Sequence, residues 1–271
     1  MDPMESLRDD AFGPGGAIRI VGHRGAAGAA PENTLPGLEH AVDVGADAVE
    51  FDLQCTRDGR LVLLHDATVD RTTDGAGAVE EMALDEVREL DAGHAFTPDR
   101  GRTFPFRGDG VRVPTLEEAM EATRGVPVVA EAKSGPAGRL LADWMEGRED
   151  GRRMLVGGFA LADTGDAARH ARWRCASKDE LRPYVLLGKL GLGRWFVPEA
   201  HALMVPERHR LVSVVTRRFV RRAHGDGLGV HVWTVNRPSR MRRLLDTGVD
   251  GLVTDLPGRA RRVLDEREVW G

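Results

Sequence analysis

The sequence predicts an α/β fold, a TIM (β/α)8 barrel with a small insertion after the second strand, and three observations carry that prediction. Short apolar runs alternate with longer amphipathic stretches along the whole chain, the pattern of successive βα units. Eight of those runs qualify as strands. The length, 271 residues, is long for an ordinary domain and typical of a closed α/β barrel that can bury a large core. Residues 1–271 therefore read as one domain.

The opening segment, residues 1–16, is acidic and bears Gly and Pro without a basic stretch or an apolar run, so it reads as a loose lead-in rather than a signal segment. The first strand is Ile18 to Val21, and a helix from Thr34 to Val44 follows behind an Asn33 cap. The second strand is Ala48 to Leu53. Arg60 to His65 reads as its hairpin partner across the Arg57-Asp58-Gly59 turn. Residues 67–113 exceed a minimal βα unit. Their Gly75 to Gly77 turn, short helix near Leu84 to Leu90 and Gly/Pro/Arg-rich stretch from Thr97 to Gly110 predict a surface cap or lid near the site.

The helix from Thr115 to Thr123 carries a capping-box pattern, Thr115 with Glu118. Strands Val126 to Glu131 and Met154 to Phe159 come next, each followed by a helix, Gly138 to Met145 and Asp163 to Ala171. The fifth strand, Trp173 to Ala176, is short and polar, and the helix expected in the segment up to Ala200 is broken by glycines. Strand Ala202 to Val205 leads to a helix from Ser213 to Ala223, and strand Gly229 to Thr234 to a helix from Ser239 to Asp246. The eighth strand, Gly251 to Thr254, is followed by a helix from Pro257 to Leu264, with proline suited to the first helical position.

Composition narrows the function. With 38 Lys plus Arg against 43 Asp plus Glu, the net charge of −5 gives no sign of a nucleic-acid surface. Arg217, Arg218, Arg221 and Arg222 fall at helical spacing and read as a solvated helix face. The two cysteines, Cys55 and Cys175, form no Cys-x-x-Cys pattern, which fits a reducing compartment. No stretch approaches the roughly 20 apolar residues of a membrane helix, so the expectation is a soluble, cytoplasmic protein without an integral membrane segment.

In a parallel barrel the C-terminal ends of the strands gather on one face and form the site. The first strand delivers His23 and Arg24, the second Glu50 and Asp52, the hairpin His65, and the third Glu131 and Lys133. Glu50 and Asp52 are two apart and so share one side of their strand. Two carboxylates cannot both stay ionised in close burial without a counter-charge. A third, Glu131, makes a bound cation the natural solution. All-oxygen donors favour Mg2+ or Ca2+, while the two histidines leave zinc as an alternative. The competing reading is a salt-bridge network in which Arg24 and Lys133 balance the acids. Imidazole can take and give a proton near neutral pH, so His23 and His65 are candidates for general acid and base. Arg24 would offer a bidentate fork to phosphate and Lys133 a second positive charge.

These residues resemble a known family. His23-Arg24-Gly25, Pro31-Glu32-Asn33-Thr34, Glu50-Phe51-Asp52, His65-Asp66, Asp70-Arg71-Thr72-Thr73, Pro114-Thr115-Leu116-Glu117-Glu118, Glu131-Ala132-Lys133, Trp233-Thr234-Val235-Asn236 and Gly251-Leu252-Val253-Thr254-Asp255 resemble the motifs of glycerophosphodiester phosphodiesterases, in order, from residue 18 to about 260. The resemblance implies metal-dependent hydrolysis of a small glycerophosphodiester to glycerol 3-phosphate and an alcohol. It implies one divalent cation on Glu50, Asp52 and Glu131, with His23 and His65 as the acid/base pair. In such enzymes the neighbouring glycerol hydroxyl attacks phosphorus and leaves a cyclic glycerol phosphate that water opens. Trp233 resembles the family's pocket tryptophan, with ordinary barrel packing as the other reading. Glu32 resembles a group that holds His23 or Arg24, and Asp255 suits a cap of the last helix.

Two departures stand out. Ala130 and Ala132 flank Glu131 where the family's third strand is often more apolar, and Gly157-Gly158-Phe159 replaces a frequent Ser-Phe pair, which widens the pocket. The alternatives are a lysophospholipase-D-like hydrolase, for which Phe96, Phe104 and Phe106 are the apolar candidates, and a barrel that binds phosphodiesters without turnover.

Overall fold

A computed structural model describes residues 11–17, 19–158, 166–209 and 212–270, and from its strand register the barrel can be followed around. The strands are β1 (Ile20–Gly22), β2 (Ala48–Cys55), β3 (Leu61–Leu63), β4 (Val128–Ala132), β5 (Met154–Gly158), β6 (Trp173–Arg174), β7 (Ala202–Pro206), β8 (Arg208–His209), β9 (Val212–Ser213), β10 (Gly229–Trp233) and β11 (Gly251–Thr254). Among the described residues eight of them form a parallel path in the order β6-β5-β4-β2-β1-β11-β10-β7. A parallel bridge between Cys175 and Ala202 closes the ring, flanked by His201 N donating to Arg174 O at 2.8 Å and Ala176 N donating to Ala202 O at 3.0 Å. The expected (β/α)8 barrel is the observed fold. The expected starts at Ile18 and Asp163 and the expected end at Phe159 lie outside the described residues.

Alternation along each strand separates two apolar layers. Val49, Phe51 and Leu53 face outward and pack with Leu38 and Ala41 of helix Leu35–Asp43 and with Leu116 and Ala119 of helix Leu116–Ala122. Val21, Ala48, Val129, Leu155, Trp173, Ala202 and Val253 fill the barrel interior. That interior holds many small residues, and the lead-in supplies the missing volume. Phe12, fully buried, meets the Trp173 ring edge-on at 5.2 Å, and its carbonyl accepts a hydrogen bond from His231 Nε2 at 3.0 Å. A Cβ on Gly229 would stand 1.9 Å from the Phe12 carbonyl oxygen, so this approach requires glycine. Residues Ala11 and Phe12 are thus packed rather than loose, because an aromatic plug serves a barrel floor lined by alanines and glycine better than solvent does.

Several expected boundaries shift for local reasons. Thr34, not Asn33, caps the first helix, its Oγ1 accepting from Gly37 N, since the Asn33 side chain is committed elsewhere. Helix Gly135–Met145 starts three residues earlier than expected, because Ser134 caps it and Pro136 falls in the first turn. Helix Lys178–Lys189 is continuous through Gly188, launched by a Ser177–Glu180 capping box. Ser213, expected to open the next helix, instead ends β9, which pairs antiparallel with β8, and helix Arg217–Gly225 begins behind Thr216. Arg222 is not a solvated residue: its guanidinium lies 3.6 Å over the Tyr184 ring and donates to the carbonyls of Tyr184, Gly193 and Phe196.

β3 pairs antiparallel with β2, as the hairpin reading required, and residues 67–113 then build a small core of their own from Val69, Val79, Val87, Ala92, Val111 and Val113 with Val62 and Leu64. Arg57 N donates to Met82 O, Leu84 N to Asp58 Oδ1, and Arg88 pairs with Glu118 at 2.7 Å. The insertion is therefore tied to both the hairpin turn and the neighbouring helix. Among the described residues no helix is long and apolar enough to cross a membrane.

Candidate active site

β1 runs into the turn His23-Arg24-Gly25, whose geometry explains its residues. Arg24 (φ 50°) and Gly25 (φ 83°) both occupy the left-handed region. A Cβ on Gly25 would lie 2.5 Å from the Gly37 carbonyl carbon, so helix Leu35–Asp43 packs directly on the turn. For Arg24 the conformation costs about 1 kcal/mol, offset by what it arranges. Arg24 N donates to Glu50 Oε2 at 2.7 Å and Gly25 N to Glu50 O at 3.1 Å. The turn is thereby fastened to the acidic strand beside it.

Strand alternation turns Glu50 and Asp52 into the barrel, where their side chains are almost wholly buried. Parallel register places Asp52 opposite Glu131. Lys133 Nζ lies 2.7 Å from Asp52 Oδ1 and 2.8 Å from Glu131 Oε1, and Arg24 Nε lies 3.1 Å from Asp52 Oδ2. Asn33 completes the surroundings of Asp52, donating from Nδ2 to Oδ2 at 2.9 Å and accepting from Asp52 N at 3.1 Å. Burial opposes ionisation of Asp52, but Lys133 and Arg24 outweigh it and hold the carboxyl below its usual range. Glu50 is less well compensated, since His23 and the Arg24 N–H favour its charged form but are outweighed. Burial first, then the charge of Asp52, pushes it up to about 8.

Glu50, Asp52 and Glu131 each present a carboxylate oxygen within 4.8 Å of the others. The donor set is all oxygen, and the burial and crowding that oppose ionisation of Glu50 are what a divalent cation would relieve. The residues therefore fit a hard metal ion. Lys133 already spans two of the three acids, so the salt-bridge reading describes real contacts, yet it leaves Glu50 unanswered.

Each candidate histidine has Nδ1 on a carboxylate. His23 Nδ1 lies 2.6 Å from Asp255 Oδ1, and His65 Nδ1 lies 2.7 Å from Asp66 Oδ1. Because a carboxylate accepts, these contacts place the proton on Nδ1 and leave Nε2 for exchange. Burial disfavours the His23 imidazolium, but the Asp255 hydrogen bond and the charges of Glu50 and Asp255 prevail and raise its pKa above the usual value. The His65 carbonyl also accepts from Gln54 Nε2. Trp233, at the mouth end of β10, remains 44% exposed, which sets it apart from the packed barrel interior.

All the site residues read from sequence thus lie at the strand ends of one barrel mouth. Others were read differently or given no role. Asp255 holds His23 and Asn236 and does not simply cap a helix; Asn236 in turn accepts from Thr254 Oγ1 and Asp255 N. Glu32 pairs with Arg24 at 2.8 Å and with Arg71. The Glu32–Arg24 pair is one of the two that its motif suggested; the other partners emerge only when distant segments meet.

Buried carboxylates suited to a hard cation, cations suited to a phosphate, and histidines with one nitrogen already occupied define a class, the TIM-barrel phosphoric diester hydrolases. Comparison with known proteins specifies it. The chain belongs to the glycerophosphoryl diester phosphodiesterase family, whose model matches residues 23–259. A glycerophosphodiester phosphodiesterase of Caldanaerobacter subterraneus subsp. tengcongensis is 32% identical, with 88% of this chain and 94% of that protein covered. The crystal structure of a glycerophosphoryl diester phosphodiesterase domain from Mycobacterium tuberculosis superposes with a TM-score of 0.78 at 23% identity, covering 90% of this chain and 98% of that one, a likeness of fold. A phosphodiesterase of Oleispira antarctica, solved in complex with the product sn-glycerol-3-phosphate, aligns with a TM-score of 0.74 at 25% identity and covers 95% of this chain and 99% of its own.

Proposed function

We propose that this enzyme hydrolyses glycerophosphodiesters to glycerol 3-phosphate and an alcohol, with His23 and His65 as the acid/base pair and Mg2+ or Ca2+ held by Glu50, Asp52 and Glu131. The observation that carries the proposal is the paired arrangement of the histidines, each fixed through Nδ1 by its own carboxylate at the mouth that contains the acid cluster. The product named in the Oleispira antarctica complex supports the substrate class. When bound, a divalent cation supplies charge neutralisation for phosphate oxygens and lowers the pKa of a hydroxyl.

The protein's own groups then do the following. Arg24 and Lys133 attract and orient the phosphodiester, and Trp233 offers an apolar wall to the glycerol carbons. Nε2 of one histidine takes the proton of the glycerol hydroxyl adjacent to the phosphate as its oxygen bonds to phosphorus. The other histidine protonates the departing alkoxide as its P–O bond breaks, which yields a cyclic glycerol phosphate and the free alcohol. For ring opening the roles reverse: water loses a proton to the second histidine, and the first returns its proton to the glycerol oxygen.

Phe96 and Phe106 pack edge-on against each other at 5.4 Å, and Arg107 covers Phe104 at 3.7 Å. The insertion's aromatic residues are occupied in this way, which favours a water-soluble diester over a lipid that keeps an acyl chain. The free thiols of Cys55 and Cys175 suit a reducing compartment such as the cytoplasm. The deciding experiment supplies sn-glycero-3-phosphocholine to the protein with Mg2+ or Ca2+, and an analogue lacking the adjacent glycerol hydroxyl. Choline release from the first and not the second is expected. No release overturns the activity, and equal release from both overturns the cyclic route.

A further inference from the structure

The run Asp70-Arg71-Thr72-Thr73 opens the insertion, and its side chains divide into two groups. Asp70 Oδ2 accepts from Gly77 N at 3.0 Å, while Thr73 Oγ1 donates to Val69 O at 2.8 Å and accepts from Gly75 N at 3.1 Å. Val69 N donates to Gly77 O, and the Val69 side chain is buried in the insertion's core. Asp70 and Thr73 therefore shape the turn by bonding to its own backbone. Arg71 is used differently. Its Nε donates to Asp66 Oδ2 at 2.5 Å, Nη1 to Glu32 Oε2 at 2.8 Å and Nη2 to Glu32 Oε1 at 2.6 Å.

Both carboxylates are themselves partners of site residues. Asp66 Oδ1 holds His65 Nδ1 at 2.7 Å, and Glu32 Oε1 accepts from Arg24 Nη1 at 2.8 Å. A single planar guanidinium thus joins the arm carrying His65 to the arm carrying Arg24. The Arg71 side chain is 48% exposed, and an ion pair so exposed contributes little to stability. Its three bonds fix directions in space, which a lysine ammonium, a point charge on a flexible stem, cannot reproduce.

We propose that Arg71 is a positioning residue for diester cleavage, clamping Asp66 and Glu32 so that His65 and Arg24 stay in mutual register across the mouth. The inference rests on the reading of His65 as a proton carrier and of Arg24 as the phosphate fork. Misplacement of such groups by a fraction of an ångström to an ångström costs roughly 10- to 100-fold in rate.

The test compares Arg71→Met, Arg71→Lys, His65→Ala and the Arg71→Met/His65→Ala double variant with wild type, using sn-glycero-3-phosphocholine. Arg71→Met should lower kcat roughly 10- to 100-fold and raise KM, and Arg71→Lys should restore only part of the loss. In the His65→Ala background kcat should fall no further while the rise in KM persists, because the ring being positioned is gone and Arg24 is still released. Nitrogen-15 NMR of the His65 ring supplies a readout that needs no turnover: wild type should show the Nδ1–H tautomer and Arg71→Met a mixture. Unchanged kcat in Arg71→Met, an equal further drop in the double variant, or an unchanged His65 tautomer overturns the inference. Full turnover by His65→Ala instead overturns the catalytic reading, and the NMR comparison still decides whether Arg71 sets the ring.

Discussion

Asp255 Oδ1 lies 2.6 Å from His23 Nδ1 across 232 positions of sequence, joining the end of the eighth barrel strand to the end of the first. The carboxylate orients the ring and stabilises its protonated form. Asp255→Asn should therefore lower the His23 pKa and move the limb of the pH–rate profile that reports His23 to lower pH, with kcat reduced at least 10-fold through loss of the correct tautomer. The sign for stability follows from the same shift. A histidine whose folded pKa is raised contributes stability fully present below its unfolded value near 6.5 and lost as pH rises through the folded value. NMR titration of His23 in both proteins measures the shift, and an unmoved limb refutes the pairing's role.

Chelation should abolish turnover, and Mg2+ or Ca2+ should restore it. A cation held by the folded acid cluster and not by the unfolded chain would, at about 100 times its Kd, add about 2.7 kcal/mol to stability. Glu131→Gln should remove this increment while keeping the fold, since Glu131 is the least buried of the three acids. Thermal melts with and without metal read it directly, and an equal rise in the variant would assign the metal elsewhere.

Arg153 is a buried guanidinium whose Nη1 donates to Thr123 O at 2.6 Å and Val126 O at 3.0 Å, while Nη2 donates to Met120 O. These carbonyls end helix Leu116–Ala122 and the turn after it. Burial lowers the Arg153 pKa, and the carbonyls together with Asp150 keep it charged. Arg153→Met leaves them without this donor and should cost about 3 kcal/mol, measured by denaturant unfolding with catalysis of the folded protein retained.

Phe12 is fully buried between Trp173 and His231 on the barrel floor. Phe12→Ala opens a cavity there and should cost about 3–5 kcal/mol, with the mouth chemistry preserved. A stability change below about 1 kcal/mol would show that the lead-in contributes no packing to the barrel.

Seven of the eight barrel strands were legible as short apolar runs bounded by turn residues, and the eighth, the brief and polar β6, was identifiable from its place between two helices and from Trp173 onward. Helix starts were less so. Ser134 with Pro136 begins a helix three residues before the expected Gly138, and Ser213, expected to open a helix, instead pairs in a strand. Lys178–Lys189 remains helical through Pro183 and Gly188 because Tyr184 is anchored by Asp226 and its carbonyl by Arg222. Local propensity has no access to such contacts.

The sequence alone determined which side chains reach the mouth: alternation placed Glu50 with Asp52, and strand ends placed His23, His65, Glu131 and Lys133, since both are properties of a few adjacent residues. Only the tertiary structure decided how those groups are held. Asp255 reaches His23 because the eighth strand closes against the first, Arg71 reaches both Glu32 and Asp66 because the start of the insertion lies against the loop after β1, and Phe12 finds the barrel floor because the ring leaves space there. Hydrogen bonds act over about 3 Å, so their partners are set by ring closure and strand register rather than by nearness in the chain.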